Sequence, residues 1–96
     1  MNPALPDWFY VYVLESKING SIYIGCTSNL EERMKEHKNG KVYSTKHLLP
    51  IELIYVEAYQ SKKDAFEREK CLKYHGSALG HLKIRLKNTL MKGRAG

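Results

Sequence analysis

Residues 8–14 form an unbroken apolar run, Trp-Phe-Tyr-Val-Tyr-Val-Leu, in which every side chain except the last is aromatic or β-branched. Such side chains favour β-strands. A strand with one face in water alternates apolar and polar residues, and this run does not alternate, so the pattern indicates a strand covered on both faces. We therefore expect a central strand with other elements packed on either side of it.

Two more strands are predicted from the rest of the chain. Asn19-Gly20 is the strongest short hairpin signal, and as a two-residue turn it returns residues 21–25 antiparallel to the central strand. In that register Tyr12 lies opposite Thr27. Ile51 to Tyr59 predicts the third strand.

Capping signals predict the helices. Ser28 followed by Glu31 is a capping box, and the helix it starts runs to about Asn39 and stops at Gly40. A second helix is predicted by Ser61 with Asp64, with bounds of 62 and about 74 and a break at Gly76. Residues 81–90 fit both a helix face and strand alternation, and their length and Lys/Arg content favour a helix.

The order of elements, β-β-α-β-α-α, predicts an α+β fold with a three-stranded antiparallel β-sheet flanked by helices. With 96 residues, the chain is expected to form one domain, 1–96. Its core is expected at about 8–88, with loose termini at 1–7 and 89–96 that include a basic tail from Met91 to Gly96.

Charge is distributed unevenly along the chain. Residues 1–60 hold six Lys/Arg against seven Asp/Glu, whereas residues 61–96 hold ten against three. A basic last third is typical of a phosphate-facing surface, although many small domains are basic for no specific reason.

The location of the protein is predicted from its cysteines and its apolar runs. Cys26 and Cys71 are far apart and follow no metal-ligand spacing, which favours free thiols in the cytoplasm. No signal peptide is visible. The longest apolar run is far shorter than the ~20 residues that span a bilayer.

Tyrosines are expected to share one face of the sheet. Because side chains alternate with period two, the predicted hairpin puts Tyr12 and Tyr23 on the same face, together with Tyr10. Simple packing explains Tyr10 better than chemistry does.

Arg33 and His37 are four apart on the first predicted helix, at the edge of and within the stripe formed by Leu30 and Met34. An arginine there suits forked contact with a phosphate. The alternatives are an ion pair of Arg33 with Glu36 and a buried, hydrogen-bonded His37.

Glu69 stands in the apolar stripe of the second helix, beside Phe66 and Leu72. A carboxylate facing a core is unfavourable without a cation, either an arginine or a metal. The alternative is an i,i+4 ion pair with Lys73 on a solvated face, and periodicity does not decide between them.

These segments together resemble the GIY-YIG nucleases. Tyr10-Val11-Tyr12 and Tyr23-Ile24-Gly25 resemble the two-part signature, and the resemblance extends through the helix of Arg33 and His37 to Phe66-Glu67-Arg68-Glu69-Lys70. It covers roughly residues 9–88, in a form similar to the small stand-alone bacterial members.

The resemblance implies phosphodiester hydrolysis of DNA, with RNA not excluded, by one divalent metal, Mg²⁺ or Mn²⁺. Carried over by position, Glu69 is the metal ligand, and Tyr12, Tyr23, Arg33 and His37 are catalytic. Tyr12 is expected to take the proton of the attacking water, which requires Arg33, the metal, or both to lower its pKa from about 10. Arg33 is expected to neutralise a phosphate oxygen, and Tyr23 and His37 to orient or relay the proton. The phosphate backbone is expected to follow Lys41, Lys46, Lys70 and Lys73.

Two departures accompany the resemblance. Tyr10 and Val11 replace the glycine and isoleucine of the first motif, and Asn88 is the only candidate for a late site asparagine. Structure-selective or repair-related cutting, with a partner protein choosing the target, is one hypothesis. A non-catalytic nucleic-acid-binding domain on a nuclease fold is the second, and a structural interaction module is a weaker third. The sequence does not set the oligomeric state.

Overall fold

The central strand predicted from the apolar run is β1, Phe9–Ser16, in the computed structural model of the chain, which describes residues 7–90. It lies between β2, Ile22–Thr27, and β3, Ile51–Tyr59, in an antiparallel sheet of order β2-β1-β3. Residues 11–16 of β1 are all buried. The prediction of a three-stranded α+β fold is confirmed. Of the predicted loose termini, residues 1–6 and 91–96, with the basic tail, lie outside the described residues.

The register of the first hairpin differs from the prediction by two residues. Tyr12 pairs with Gly25, and Leu14 pairs with Tyr23. The predicted pairing of Tyr12 with Thr27 is therefore wrong. Because the shift is an even number, the same side chains still share a face.

The cause of the shift is the length of the turn. The connection has four residues, Lys17 to Gly20, and is closed by a hydrogen bond of 2.8 Å from Ser16 N to the carbonyl oxygen of Ser21. Gly20 supplies the left-handed residue of this loop, with φ of 74°. Four-residue hairpin loops are common, and the Asn-Gly signal marks the turn without fixing its length.

Helix α1 spans Leu30–Lys38. Its cap is Asn29 and not Ser28 as predicted: the Asn29 side-chain oxygen accepts a hydrogen bond of 3.1 Å from the Glu32 backbone N–H. Asn and Ser are equally good N-caps, so where the two are adjacent the backbone conformation decides which of them caps the helix. After the helix, Gly40 has φ of 72°, as predicted for its stop.

Helix α2 spans Lys62–Tyr74, with the Ser61 hydroxyl accepting from the Asp64 N–H at 3.2 Å. Both bounds and the cap are as predicted. Helix α3 spans Gly76–Arg85, and residues 87–90 add one more helical turn. The helical assignment of this region is confirmed, but the helix begins at Gly76 and not at His81. The break predicted at Gly76 falls at His75.

The two faces of the sheet carry different side chains. Val11, Val13 and Ile24 pack against α2 and α3 and form the main core with the buried Ala65 and Leu72. The residues alternating with them on β1 and β2 face the opposite side, where α1 lies. No helix among residues 7–90 is long and apolar enough to cross a membrane.

Candidate active site

Tyr12 is the central side chain of the face opposite α2 and α3. It stands on the middle strand, is 1% exposed, and pairs in register with Gly25. A Cβ built on Gly25 would collide with Cζ and Oη of the Tyr12 ring. The Tyr12 ring lies across β2 at this point, so the position requires glycine. This placement directs the Tyr12 hydroxyl towards the β2 edge of the sheet.

His37 comes from the buried side of α1 and is fully buried. A hydrogen bond of 2.8 Å joins its Nε2 to the Tyr12 hydroxyl. Burial, followed by repulsion from the Arg33 charge, lowers the pKa of His37, which favours the neutral ring. The imidazole is thus placed to exchange a proton with the phenol.

Tyr23 completes an aromatic cluster with these two residues. Its ring centroid lies 6.4 Å from that of Tyr12 and 5.4 Å from that of His37, in an edge-on arrangement with the histidine. The shared face of Tyr12 and Tyr23 that the hairpin predicted is confirmed. Tyr23 is only partly buried, so it forms the solvent side of the cluster.

Thr45 is a member of this cluster that the sequence analysis missed. Its hydroxyl lies 2.8 Å from Nδ1 of His37, on the other side of the ring from Tyr12, and the residue is 0% exposed. Thr45 belongs to the loop between α1 and β3, immediately before a short 3₁₀ helix, Lys46–Leu48. Thr45 carries no charge and belongs to no motif that would mark it, although a threonine hydroxyl can donate to or accept from a buried imidazole nitrogen.

Arg33 lies one turn before His37 on α1. Its Nη1 forms an ion pair of 2.9 Å with Glu36 Oε1, which is the alternative considered from the sequence. Its guanidinium also lies near the Tyr12 hydroxyl: the proximity of Tyr12 and then of Glu36 raises the pKa of Arg33. Arg33 therefore faces both a neighbouring carboxylate and the phenol.

The pKa of Tyr12 moves against the expectation. Burial raises it to about 12, and the nearby Arg33 opposes the rise without reversing it. The expectation of a lowered pKa required Arg33, a metal, or both, and Arg33 alone does not overcome the loss of hydration. Any proton transfer by Tyr12 must then proceed without a resting phenolate.

Glu69 approaches the cluster from α2. Its side chain is 19% exposed, and its Oε2 lies 3.1 Å from Lys73 Nζ, so the i,i+4 pair considered from the sequence is formed. Lys73 Nζ is also 6.0 Å from the Tyr23 ring centroid. Burial raises the pKa of both Cys26 and Tyr12, and the charge of Glu69 adds to the rise, as the next cause for Cys26 and as the smallest cause for Tyr12. Glu69 thus lies within electrostatic range of the phenol.

The Glu69 carboxylate suits a metal ion that keeps most of its bound waters. Mg²⁺ keeps several waters and takes one or two carboxylates from a protein, and the ion pair that competes for Glu69 comes from a lysine whose side chain is 35% exposed. Among residues 7–90, no group of three or more His, Cys, Asp or Glu side chains could hold a metal. The described residues fit a largely hydrated ion on one carboxylate and do not fit a structural metal cage.

The lysines predicted to contact nucleic acid are all exposed: Lys41, Lys46, Lys70 and Lys73. Lys46 Nζ lies 4.9 Å from the ring centroid of Tyr43, which is itself 82% exposed. Lys41 and Lys46 belong to the loop that carries Thr45. Asn88 is exposed in the helical turn after α3, and within residues 7–90 no contact joins it to the cluster.

Two comparisons with known proteins show what this chain is similar to. The GIY-YIG catalytic domain matches residues 8–83. A UPF0213 protein of Bacillus licheniformis is 41% identical over 61 residues, which are 62% of this chain and 62% of that protein. UPF0213 proteins of Clostridium perfringens and Streptococcus pneumoniae serotype 4 are each 42% identical over 65 residues, 67% of this chain and 69% and 65% of those proteins.

The matched stretch therefore spans about two thirds of the length of these relatives, and the UPF0213 names assign no specific activity. The match to the catalytic domain is broader and includes β1, β2, α1, β3, α2 and most of α3. A catalytic domain of this family implies a nuclease-type function on nucleic acid, which for this chain is a proposal. The chain belongs to the GIY-YIG family.

Proposed function

We propose that this domain hydrolyses phosphodiester bonds of DNA with one divalent metal, Mg²⁺ or Mn²⁺, held by Glu69. The observation that carries the proposal is the 2.8 Å hydrogen bond between the buried Tyr12 hydroxyl and His37 Nε2, beside Arg33. A phenol joined to an imidazole in a buried site is a pair that can move a proton.

The pair removes the need for an ionised tyrosine. The Tyr12 oxygen would take a proton from the attacking water while its own proton passes to His37 Nε2. Neither step requires a resting phenolate, which the raised pKa of Tyr12 disfavours. Because Tyr12 is 1% exposed, the water must enter beside the hydroxyl as the substrate binds.

The other residues have electrostatic roles. Arg33 would turn from Glu36 to a non-bridging phosphate oxygen, since a guanidinium pairs well with phosphate, and Tyr23 would border the bound phosphate on the solvent side. A metal on Glu69 would stabilise charge on the phosphate and the leaving oxygen. Lys41, Lys46, Lys70 and Lys73 would contact the phosphate backbone.

One arrangement favours the second candidate function, a non-catalytic nucleic-acid-binding domain. Arg33 and Glu69 are both held in internal ion pairs, with Glu36 and Lys73. A domain that keeps these pairs when it binds DNA would offer its basic surface and no chemistry. Cutting and binding therefore have to be measured separately.

The test is cleavage of branched, nicked, single-stranded and duplex DNA, and matched RNA, with Mg²⁺, Mn²⁺ or EDTA. Glu69→Gln is compared with Glu67→Gln, an exposed carboxylate on the same helix. We expect metal-dependent cutting that Glu69→Gln reduces about 100-fold or more and Glu67→Gln leaves unchanged. Salt-dependent binding without cutting by the wild type would establish the binding-domain function instead. Cutting that survives Glu69→Gln would overturn the metal assignment.

The choice among these substrates also tests the finer proposals. Preference for branched or nicked DNA would support a structure-selective, repair-related role, and equal cutting of every DNA would contradict it. A partner protein that chooses the target would be sought only after such a preference is measured.

A further inference from the structure

Thr45 has a hydroxyl enclosed between two groups. His37 Nδ1 is 2.8 Å from the Thr45 oxygen, and the carbonyl oxygen of Val42 is 3.5 Å from it. The residue is fully buried, so no bulk water competes for these contacts. The direction of the hydrogen bonds therefore follows from counting donors and acceptors.

Two directions are compatible with the distances. In the first, His37 Nδ1–H donates to Thr45, Thr45 donates to the Val42 carbonyl, and Tyr12 donates to His37 Nε2. In the second, Thr45 donates to Nδ1, and Nε2–H donates to Tyr12. A neutral imidazole carries one proton, so the two directions exclude each other.

The Tyr12 proton decides between them. In the second direction the Tyr12 hydroxyl would need another acceptor, and the nearby Arg33 has donors only. A buried donor without an acceptor is unfavourable. Among the described residues, His37 Nε2 is the acceptor within hydrogen-bond distance of the Tyr12 hydroxyl. The first direction gives every donor an acceptor. In it the Thr45 hydroxyl oxygen accepts the hydrogen bond from His37 Nδ1–H.

We propose that Thr45 is a positioning residue that holds His37 as the Nδ1-protonated tautomer, with the Nε2 lone pair aimed at the Tyr12 hydroxyl. In the reaction one proton leaves Tyr12 for Nε2 and one proton reaches Tyr12 from water, so His37 becomes an imidazolium that still donates to Thr45. The catalytic consequence rests on the proposed nuclease function. The tautomer itself does not.

Two variants separate this role from simple packing of the loop. Thr45→Val keeps the branched shape and removes the hydroxyl, whereas Thr45→Ser keeps the hydroxyl and removes the methyl group. Ser44→Ala is a control, because Ser44 is the exposed neighbour in the same loop. A packing role would make Thr45→Val the milder change, and a tautomer role would make it the more severe.

The first readout is the ¹⁵N spectrum of the His37 ring at neutral pH, with the ring identified by its contact to Tyr12. We expect protonated Nδ1 and unprotonated Nε2 in the wild type, Thr45→Ser and Ser44→Ala, and a gain of the Nε2–H form in Thr45→Val. A wild-type ring protonated at Nε2 would overturn the proposal, even if Thr45→Val does not fold. An unchanged tautomer in folded Thr45→Val would overturn it as well.

The second readout is single-turnover cleavage of the best DNA substrate. We expect Thr45→Val to lower the rate of the chemical step by about 10–100-fold at unchanged DNA affinity, and Thr45→Ser to restore it. Wild-type rates in Thr45→Val would overturn the positioning role. If the wild type cuts nothing, the proposed function fails, and the ring spectrum still decides the tautomer.

Discussion

Gly25→Ala should destabilise the domain, although the same change usually stabilises a glycine position of ordinary backbone. Gly25 is not among the glycines with positive φ, so an alanine fits its backbone. Reduced freedom of the unfolded chain would then favour the variant by about 0.4–1 kcal/mol. The added methyl group, however, meets the Tyr12 ring at Cζ and Oη.

The size of the effect follows from what Tyr12 must do. The ring is 1% exposed, so it cannot swing into solvent without leaving the space it fills. Overpacking of this kind costs about 1–3 kcal/mol, and a disturbed hydrogen bond to His37 adds about 0.5–1.5 kcal/mol. After the backbone gain is subtracted, we expect a net loss of about 0.5–4 kcal/mol.

Urea denaturation followed by circular dichroism measures this free energy of unfolding. Gly80→Ala is the control, because nothing lies within 4 Å of its added Cβ, and it should stabilise α3. In a Tyr12→Leu background, which lacks the end of the ring, Gly25→Ala should no longer be destabilising. A Gly25→Ala variant as stable as the wild type would refute the placement of the Tyr12 ring across β2.

The free energy of unfolding should fall as the pH drops below about 6.5, the ordinary pKa of histidine. Because the pKa of His37 is lowered in the folded protein, the unfolded chain binds this proton first as the pH falls. The stability is therefore present above the pKa of the unfolded state and is lost as the pH falls through the pKa of the folded state. Urea denaturation from pH 7.5 to 5 should show this slope in the wild type and less of it in His37→Gln. Arg68→Met should cost about 1–3 kcal/mol, because it removes two hydrogen bonds, of 2.9 and 3.0 Å, to the Glu57 carboxylate. Burial raises the pKa of Glu57 and its hydrogen bonds outweigh that, so its pKa is lowered; the Arg68→Met deficit should shrink in acid as Glu57 protonates, and a constant deficit would contradict the pairing. Tyr43→Ala should weaken single-stranded DNA binding by about 1–3 kcal/mol, because an exposed ring can stack on a base. Tyr43→Phe keeps the ring and should bind as the wild type does. Fluorescence anisotropy measures both affinities.

Much of the fold could be predicted because the sequence patterns are local. The unbroken apolar run located the central strand, and Ser61 with Asp64 located the start of α2. The hairpin register could not be predicted, because it depends on whether the loop closes across two residues or four. The hydrogen bond between Ser16 and Ser21 closes the loop across four residues, and no residue in the loop indicates that length.

The cluster could be predicted in part. Period two put Tyr12 and Tyr23 on one face, and helical spacing directed His37 inwards. Thr45 could not be found in this way, because its contact with His37 depends on how a loop folds back over α1. Whether Glu69 forms an ion pair or binds a metal also could not be decided, because its position on α2 suits both an ion pair with Lys73 and a metal ligand. The catalytic roles of all these residues stay predictions.

The most direct test of the proton-transfer role is single-turnover cleavage of DNA by Tyr12→Phe. This change keeps the ring over Gly25 and removes only the hydroxyl that bonds His37. With Mg²⁺, and with folding and DNA affinity shown to be unchanged, the rate should fall by about 10²–10⁴-fold, the range for a lost acid–base group. Cleavage by Tyr12→Phe at the wild-type rate would contradict the central claim that the Tyr12–His37 pair moves the proton.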